Sequence, residues 1–168
     1  MKIVFIGCVE FSFITIQHLL SLQNVQIVGI VTKHASSFNS DFHSLEPLAH
    51  AHDIPCFIDT GNNQGEMAPW LKALSPDVIY CFGWSYLLRS EVLRIPPLGI
   101  IGYHPALLPQ NRGRHPIIWA LALGLKETGS TFFFMDELAD AGDIISQERV
   151  EITTTEDAST LYTQLSSV

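Results

Sequence analysis

The chain of 168 residues is poor in the features that define several large classes of protein. It has only 9 lysines and arginines against 17 aspartates and glutamates, which gives a net charge of −8. A surface that grips nucleic acid through its phosphates is basic, so we do not expect this chain to bind nucleic acid by itself. No apolar run approaches the roughly 20 residues of a membrane-spanning helix, so we expect no membrane partner.

Cysteine is scarce as well, and its spacing carries no metal or disulfide pattern. Cys8, Cys56 and Cys81 are odd in number, form no CxxC pair and lie in apolar runs. We therefore expect reduced core residues of a cytoplasmic protein. The start, MKIVFIG, reaches polar residues within one strand length and lacks the shape of a signal peptide. No group of histidines, cysteines and carboxylates has ligand spacing, so we expect no metal.

The dinucleotide-binding fingerprint is also absent. The apolar run Lys2–Gly7 ends in a turn that reads GCVEFS, which lacks the second glycine of GxGxxG. A helical stripe over Ser12–Leu22 comes after this turn, and a second strand is predicted over Val25–Thr32. This βαβ opening predicts a right-handed crossover and a parallel sheet.

The remainder of the chain continues the same alternation. Apolar runs predict strands at Pro55–Ile58, Asp77–Phe82, Leu98–Tyr103, Thr131–Met135 and Ile144–Ile152, and helical periods occur at Leu45–His52, Trp84–Pro97 and Pro116–Leu123. We expect one α/β domain over 1–168, with a Rossmann-like, doubly wound, mainly parallel sheet, helices on both faces, and the last strands in mixed orientation.

The last helix is expected to begin at a capping box over Thr153–Glu156. It is cut off at Val168 after about three turns, which suggests a fragment of a longer protein. Upstream, the polar loop His34–Ser44 contains Phe38 and Phe42, which either anchor the loop in the core or form the floor of a ligand site.

Two loops carry the residue types of an acid–base site. The apolar run Leu98–Ile101 leads directly to His104, and Pro105 and Pro109 fix the loop after it. A parallel strand delivers a side chain to the binding edge of the sheet in this way. The second loop, Asp136–Asp143, carries Asp140 in a tight acidic turn. A carboxylate beside a histidine favours the imidazolium form, which suits proton movement during attack of an amine on an acyl carbon.

Positive charge gathers at the start of the predicted Pro116 helix. Arg112, Arg114 and His115 precede it, and a helix N-terminus also favours an anion. The arginines therefore indicate that one substrate carries phosphate or carboxylate.

The stretches HPALLPQNRGRHPIIWAL and TGSTFFFMDELADAGDII resemble the formyltransferase domain shared by methionyl-tRNA formyltransferase, glycinamide ribonucleotide transformylase and the amino-sugar formyltransferases. The similarity runs from MKIVFIG through Ile152. It implies transfer of a formyl group from 10-formyltetrahydrofolate to an amine through an Asn-x-His motif and a distant aspartate. By that resemblance the catalytic pair is His104 and Asp140. It places the folate against Trp84, Tyr86, Leu88, Val92, Leu138 and Ala139, and the acceptor near Ser12, Asn111, Arg112 and Arg114.

One position departs from the family pattern, because the asparagine of the motif falls on Gly102. Four accounts are open: another donor such as Asn111 or a backbone amide substitutes, a water fills the space, the residue has been altered, or the protein binds without turnover. We favour an active or once-active enzyme, because the other site residues occur together.

The segments RGRHP, FNSDF and FGWS resemble enzymes that formylate a nucleotide-linked amino sugar. The alternatives are a fragment of a methionyl-tRNA formyltransferase and a folate- or nucleotide-binding pseudoenzyme impaired at Gly102. A homodimer formed through a missing C-terminal part is a further expectation.

Overall fold

The structure is a computed structural model that describes residues 1–36 and 40–167. Its elements are β1 (Lys2–Ile6), α1 (Glu10–Ser21), β2 (Gln26–Thr32), α2 (Glu46–Ala51), β3 (Cys56–Ile58), α3 (Gln64–Leu74), β4 (Val78–Cys81), α4 (Ser90–Leu93), β5 (Ile100–His104), α5 (Pro116–Ala122), β6 (Glu127–Phe134), β7 (Ile144–Glu151) and α6 (Ala158–Ser166). They fall into two compact units, Met1–Ile101 and Gly102–Val168.

The strands form a seven-stranded sheet in the order β3-β2-β1-β4-β5-β6-β7. β1 pairs in parallel with β2 and β4, and β2 pairs in parallel with β3. β7 runs antiparallel to β6, so the expected mainly parallel sheet with a mixed edge is confirmed. The reversal of strand order at β1 and β4 is the place where open α/β sheets bind ligands, beyond the carboxyl ends of the strands.

In the first unit, the continuous apolar run of β1 forms the centre of the core. Ile3, Val4, Phe5 and Ile6 are fully buried, as expected for a parallel strand covered on both faces. The turn after β1 needs a glycine because a Cβ on Gly7 would lie 2.4 Å from the carbonyl oxygen of Phe82.

The prediction of a helix over Trp84–Pro97 is wrong, because only Ser90–Leu93 is helical. A buried glutamine of α3 explains the difference. The side-chain amide of Gln64 donates to the carbonyl oxygen of Leu87 at 2.8 Å, and its oxygen accepts from the amide of Arg89 at 2.7 Å. These bonds satisfy backbone groups that a helix would have paired internally. The segment therefore runs as an irregular loop before α4.

The start of the last helix is also displaced from its expected position. Thr153 does reach Glu156, at 3.4 Å, but α6 begins at Ala158. Asp157 is the cap, and its carboxylate accepts from the amides of Ser159 and Thr160. The hydrogen bond from the amide of Thr160 is the main reason that the pKa of Asp157 is lowered. Asp157 therefore takes the N-cap position that the sequence pattern assigned to Thr153.

Of the two phenylalanines of the polar loop, Phe42 is half-buried and its backbone forms an isolated antiparallel bridge with Val9. Phe38 lies outside the described residues. Across the part of the chain that the structure describes, no helix has the length and apolar character needed to cross a membrane.

The cysteines are free thiols, and Cys8 and Cys81 are buried. Burial raises the pKa of Cys8 and of Cys56 to about 11, and it also raises the pKa of Cys81. The thiolate is the reactive form, so the raised pKa of Cys56 predicts alkylation at pH 8 that is about 10²-fold slower than for an ordinary cysteine. Mass spectrometry after iodoacetamide treatment, with and without denaturant, measures this. Rapid labelling of any thiol in the folded protein would contradict the expectation.

Candidate active site

His104 ends β5 and is nearly enclosed, with a side chain that is 7% exposed. Its Nε2 lies 2.8 Å from the carbonyl oxygen of Asn111, and its Nδ1 lies 3.6 Å from Oδ2 of Asp140. Both ring nitrogens thus face oxygen acceptors. The ring is thus held between oxygen atoms of two different loops.

Asp140 connects the two loops that the sequence singled out. Its Oδ2 accepts a hydrogen bond of 2.8 Å from the amide of Gly113, in addition to facing the histidine. The carboxylate is partly exposed, at 21%. The second unit thus brings His104, Asp140, Asn111 and Gly113 together, although the aspartate lies 36 positions after the histidine in the chain.

The backbone around this pair is locally unusual. Asn111, His115 and Asp140 have positive φ angles of 55°, 59° and 50°, and Gly113 has φ of 101°. Asparagine, aspartate and histidine tolerate this left-handed region better than other side chains do. Clusters of such residues are typical of functional sites, where the surroundings hold them in place.

Side chains of β6 and β7 hold the loop after His104. The hydroxyl of Thr131 donates to the carbonyl oxygen of Ala106 at 2.6 Å. The side-chain amide of Gln147 donates to the carbonyl oxygen of Leu108 at 3.0 Å and contacts the hydroxyl of Thr131 at 2.9 Å. Sequence reasoning missed these two supports, because they depend on which strand lies beside the loop.

The remaining expected residues of the second unit lie on its surface. Arg112 and Arg114 are exposed in the turn before α5, which includes the carbonyl group that holds His104. Leu138 is 70% exposed and Ala139 is exposed, both in the loop that carries Asp140. Gly102 is buried, two residues before His104 and therefore on the same face of β5.

The first unit contains an aromatic pair with a lysine over it. The rings of Trp84 and Tyr86 meet edge to face with their centroids 5.9 Å apart. Nζ of Lys33 lies 4.8 Å from the centroid of Trp84 and 4.1 Å from that of Tyr86, within cation–π range. Nε1 of Trp84 is buried and has no hydrogen-bond partner. Sequence reasoning missed Lys33, although it directly follows β2 as a side chain at the ligand-binding edge does.

Three other expected residues of this unit are part of its interior. Leu88 is 4% exposed and Val92 is fully buried. Ser12 is also fully buried, and its hydroxyl donates to the carbonyl oxygen of Phe82 at 2.7 Å and accepts from the amide of Val9. Each of these side chains is thus occupied in packing or in holding the first turn.

Within the described ranges, no group of three or more histidines, cysteines and carboxylates is placed to hold a metal ion. The residues that the second unit brings together are a histidine and a carboxylate, with the backbone amide of Gly113 nearby. These groups can hold and move a proton and can stabilise a developing negative charge.

The family described as Formyl transferase matches residues 1–168. A methionyl-tRNA formyltransferase of Kosmotoga olearia is 36% identical over 171 residues, which cover 98% of this chain and 54% of that protein. The bifunctional polymyxin resistance protein ArnA of Wigglesworthia glossinidia brevipalpis is 31% identical over 168 residues, covering 98% of this chain and 25% of that protein. The chain spans about half the length of the methionyl-tRNA formyltransferases that it matches.

Solved structures agree on the fold. The phosphoribosylglycinamide formyltransferase of Bacillus halodurans superposes with a TM-score of 0.83 at 23% identity, covering 99% of this chain and 88% of that one. A formyltetrahydrofolate deformylase of Pseudomonas syringae gives a TM-score of 0.79 at 21% identity, covering 99% of this chain and 56% of that one. The full-length family match and the relatives above 30% identity decide the assignment: the chain belongs to the formyl transferase family, whose members are enzymes.

Proposed function

We propose that the protein transfers the formyl group of 10-formyltetrahydrofolate to the amine of a nucleotide-linked amino sugar, and that 1–168 is its catalytic part. The observation that carries the proposal is the placement of His104 between the carboxylate of Asp140 and the carbonyl oxygen of Asn111. The family match and the names of the relatives support formyl transfer as the reaction.

The reaction requires what this histidine can supply. The acceptor amine attacks the formyl carbon, a C–N bond forms, and the formyl oxygen becomes an oxyanion. The amine then loses a proton, the folate nitrogen gains one, and the bond between that nitrogen and the carbon breaks to release tetrahydrofolate. An imidazolium at His104 would stabilise the oxyanion, with its Nε2–H turning from the carbonyl of Asn111 to the formyl oxygen. Asp140 would hold the ring and balance its charge.

For the folate we propose the aromatic pair of the first unit. The flat rings of Trp84 and Tyr86 suit a flat heterocycle, and the buried Nε1 of Trp84 lacks an acceptor that a ligand could supply. Leu88 and Val92 are buried in the same segment of the chain, and we propose that they support the two rings from the interior. The family resemblance assigns further apolar contacts with the folate to the exposed Leu138 and Ala139.

For the acceptor, the balance of charge favours a small anionic molecule. The net charge of −8 opposes binding of a large polyanion over the surface of this chain, because like charges repel. Arg112 and Arg114 are exposed in one turn beside Asn111, and paired guanidinium groups recognise phosphate oxygens well. A nucleoside diphosphate carrying an amino sugar has both the phosphates and the amine that this arrangement needs.

Methionyl-tRNA is the second candidate acceptor. Several relatives at 31–36% identity bear the name methionyl-tRNA formyltransferase. Those relatives are about twice as long as this chain, and a basic surface elsewhere in the protein would supply the positive charge that these residues lack.

A direct test measures tetrahydrofolate release from 10-formyltetrahydrofolate with a nucleoside diphosphate amino sugar, with methionyl-tRNA, or with no amine. We expect turnover with the amino sugar that exceeds the amine-free rate by at least about 10²-fold, because proximity and oxyanion stabilisation act only on a bound amine. Turnover with methionyl-tRNA alone, falling steeply with added salt, would favour the second candidate. Binding of the folate without turnover in any arm would identify a pseudoenzyme.

A further inference from the structure

Position 102 is occupied by glycine because of space and not because of backbone conformation. Gly102 is absent from the residues with positive φ, so its backbone would accept any L side chain. A Cβ built on it, however, would lie 2.9 Å from both Cε1 and Cζ of Phe133 and 2.9 Å from Cγ of Met135. Real Cβ atoms essentially never approach other heavy atoms this closely. Any side chain at 102 therefore has to displace a neighbour.

Of these two neighbours, Phe133 is the one that resists displacement. Its side chain is 2% exposed and is among the largest fully enclosed groups of the protein, at the end of β6. Met135 follows β6, is only partly buried, and has a flexible thioether side chain that adapts easily. A packed aromatic ring has no free volume into which it can move, so its contact with position 102 is the limiting one.

The contact between Phe133 and position 102 lies close to His104 in the sequence of β5, so it affects which groups can reach the proposed site. Residues 102 and 104 point to the same face of β5 and lie about 7 Å apart along the strand. A side-chain amide at position 102 would therefore lie on the same face of the sheet as the imidazole of His104. An amide there would be a second donor for an oxyanion. The ring of Phe133 offers only C–H groups in that direction. The position that a Cβ would take at Gly102 is thus blocked by the side chains of Phe133 and Met135.

We infer that the ring of Phe133 excludes a side-chain hydrogen-bond donor at position 102. Residues 102 and 133 then act as a coupled pair, which determines how many hydrogen-bond donors the site offers to the oxyanion. The steric part rests on the contacts alone. The chemical part rests on the proposed formyl transfer, in which His104 then carries the oxyanion without help from position 102. On this inference, Gly102→Asn alone cannot add a donor without displacing the ring of Phe133.

A double-mutant cycle on thermal stability tests the steric part. We expect Gly102→Asn alone to lower the melting temperature by about 2–10 °C through overpacking, and Phe133→Ala alone to lower it through a cavity. The double variant should be more stable than the sum of the two losses, because the amide enters the space left by the ring. The matched control is Gly102→Asn with Phe132→Ala. Phe132 lies next to Phe133 in β6 and points to the opposite face, so that pair should be additive.

A kinetic comparison tests the chemical part. Asparagine and leucine have similar shapes, but only asparagine offers an N–H donor. We expect Gly102→Asn/Phe133→Ala to show a kcat for tetrahydrofolate release about 10²-fold above that of Gly102→Leu/Phe133→Ala, with similar KM values. A residue that only fills the core would affect both double variants equally.

The outcomes separate the inference from the proposed function. Additive losses in the cycle, or a Gly102→Asn variant with the parental melting temperature, would overturn the coupled pair. Equal kcat values in the asparagine and leucine double variants would overturn the role of position 102 as a donor site. Coupled melting temperatures without tetrahydrofolate release in any protein, the parent included, would support the pair and overturn the proposed function.

Discussion

Replacing His104 by glutamine is expected to lower kcat for formyl transfer by about 10²–10⁴-fold, the usual contribution of a well-placed acid–base group. Glutamine can still donate to the carbonyl of Asn111, so the loop after β5 keeps one of its contacts. It has no ring nitrogen to face Oδ2 of Asp140, which lies 3.6 Å from Nδ1, and it cannot take up a proton during the reaction. The measurement is steady-state release of tetrahydrofolate at saturating folate and acceptor, with the melting temperature as a check on folding.

The matched control for this variant is His18→Gln. His18 is an exposed histidine in the last turn of α1, and its substitution should leave kcat within about twofold. Retention of more than a tenth of the activity in His104→Gln, or a loss of the same size in the control, would show that His104 is not the group that stabilises the oxyanion.

The second large effect is expected from Asp140→Asn, which should lower kcat by about 10²-fold while changing the fold little. Asparagine tolerates the left-handed backbone at this position, where φ is 50°, and its oxygen can still accept the hydrogen bond from Gly113. The substitution removes the negative charge beside Nδ1 of His104. The ring then faces a neutral amide, which cannot balance the charge of a proton that the histidine takes up or donates during the reaction.

Two further variants distinguish a catalytic role of Asp140 from a purely structural one. Asp143→Asn alters an exposed carboxylate of the same loop and should leave kcat unchanged. Asp140→Ala removes both the charge and the tie to Gly113, and we expect it to lower the melting temperature as well as kcat. If Asp140→Asn were as active as Asp143→Asn while Asp140→Ala lost activity and stability together, Asp140 would be a structural tie between loops only.

The sequence predicts the sheet well because its signal is local. β1 and β4 are short apolar runs bounded by turns, and their burial on both faces leaves a continuous pattern. The helix expected after β4 failed for a reason that is not local. The partner of Leu87 and Arg89 is Gln64, more than 20 residues earlier, and no periodicity reveals a buried side chain that replaces helical hydrogen bonds.

The site divides in the same way between what the sequence indicates and what it cannot. His104 follows an apolar run, so the sequence indicates its position at the end of a strand. The residue types of the two loops, together with the resemblance, predict its pairing with Asp140, and the two side chains lie 3.6 Å apart. The supports from Thr131 and Gln147 and the contact of Phe133 with Gly102 depend on cross-strand neighbours. These contacts depend on which residues of neighbouring strands lie side by side, and local patterns in one sequence do not reveal that pairing.

The close approach of Phe133 to Gly102 makes one order of substitution at these two positions less costly than the other. A lineage can first shorten position 102 and afterwards enlarge position 133, since the second step fills a vacancy created by the first. The opposite route passes through an overfilled intermediate, because a side chain at 102 meets the ring at 2.9 Å. Overpacking of this kind lowers stability, so the first route is the less costly of the two.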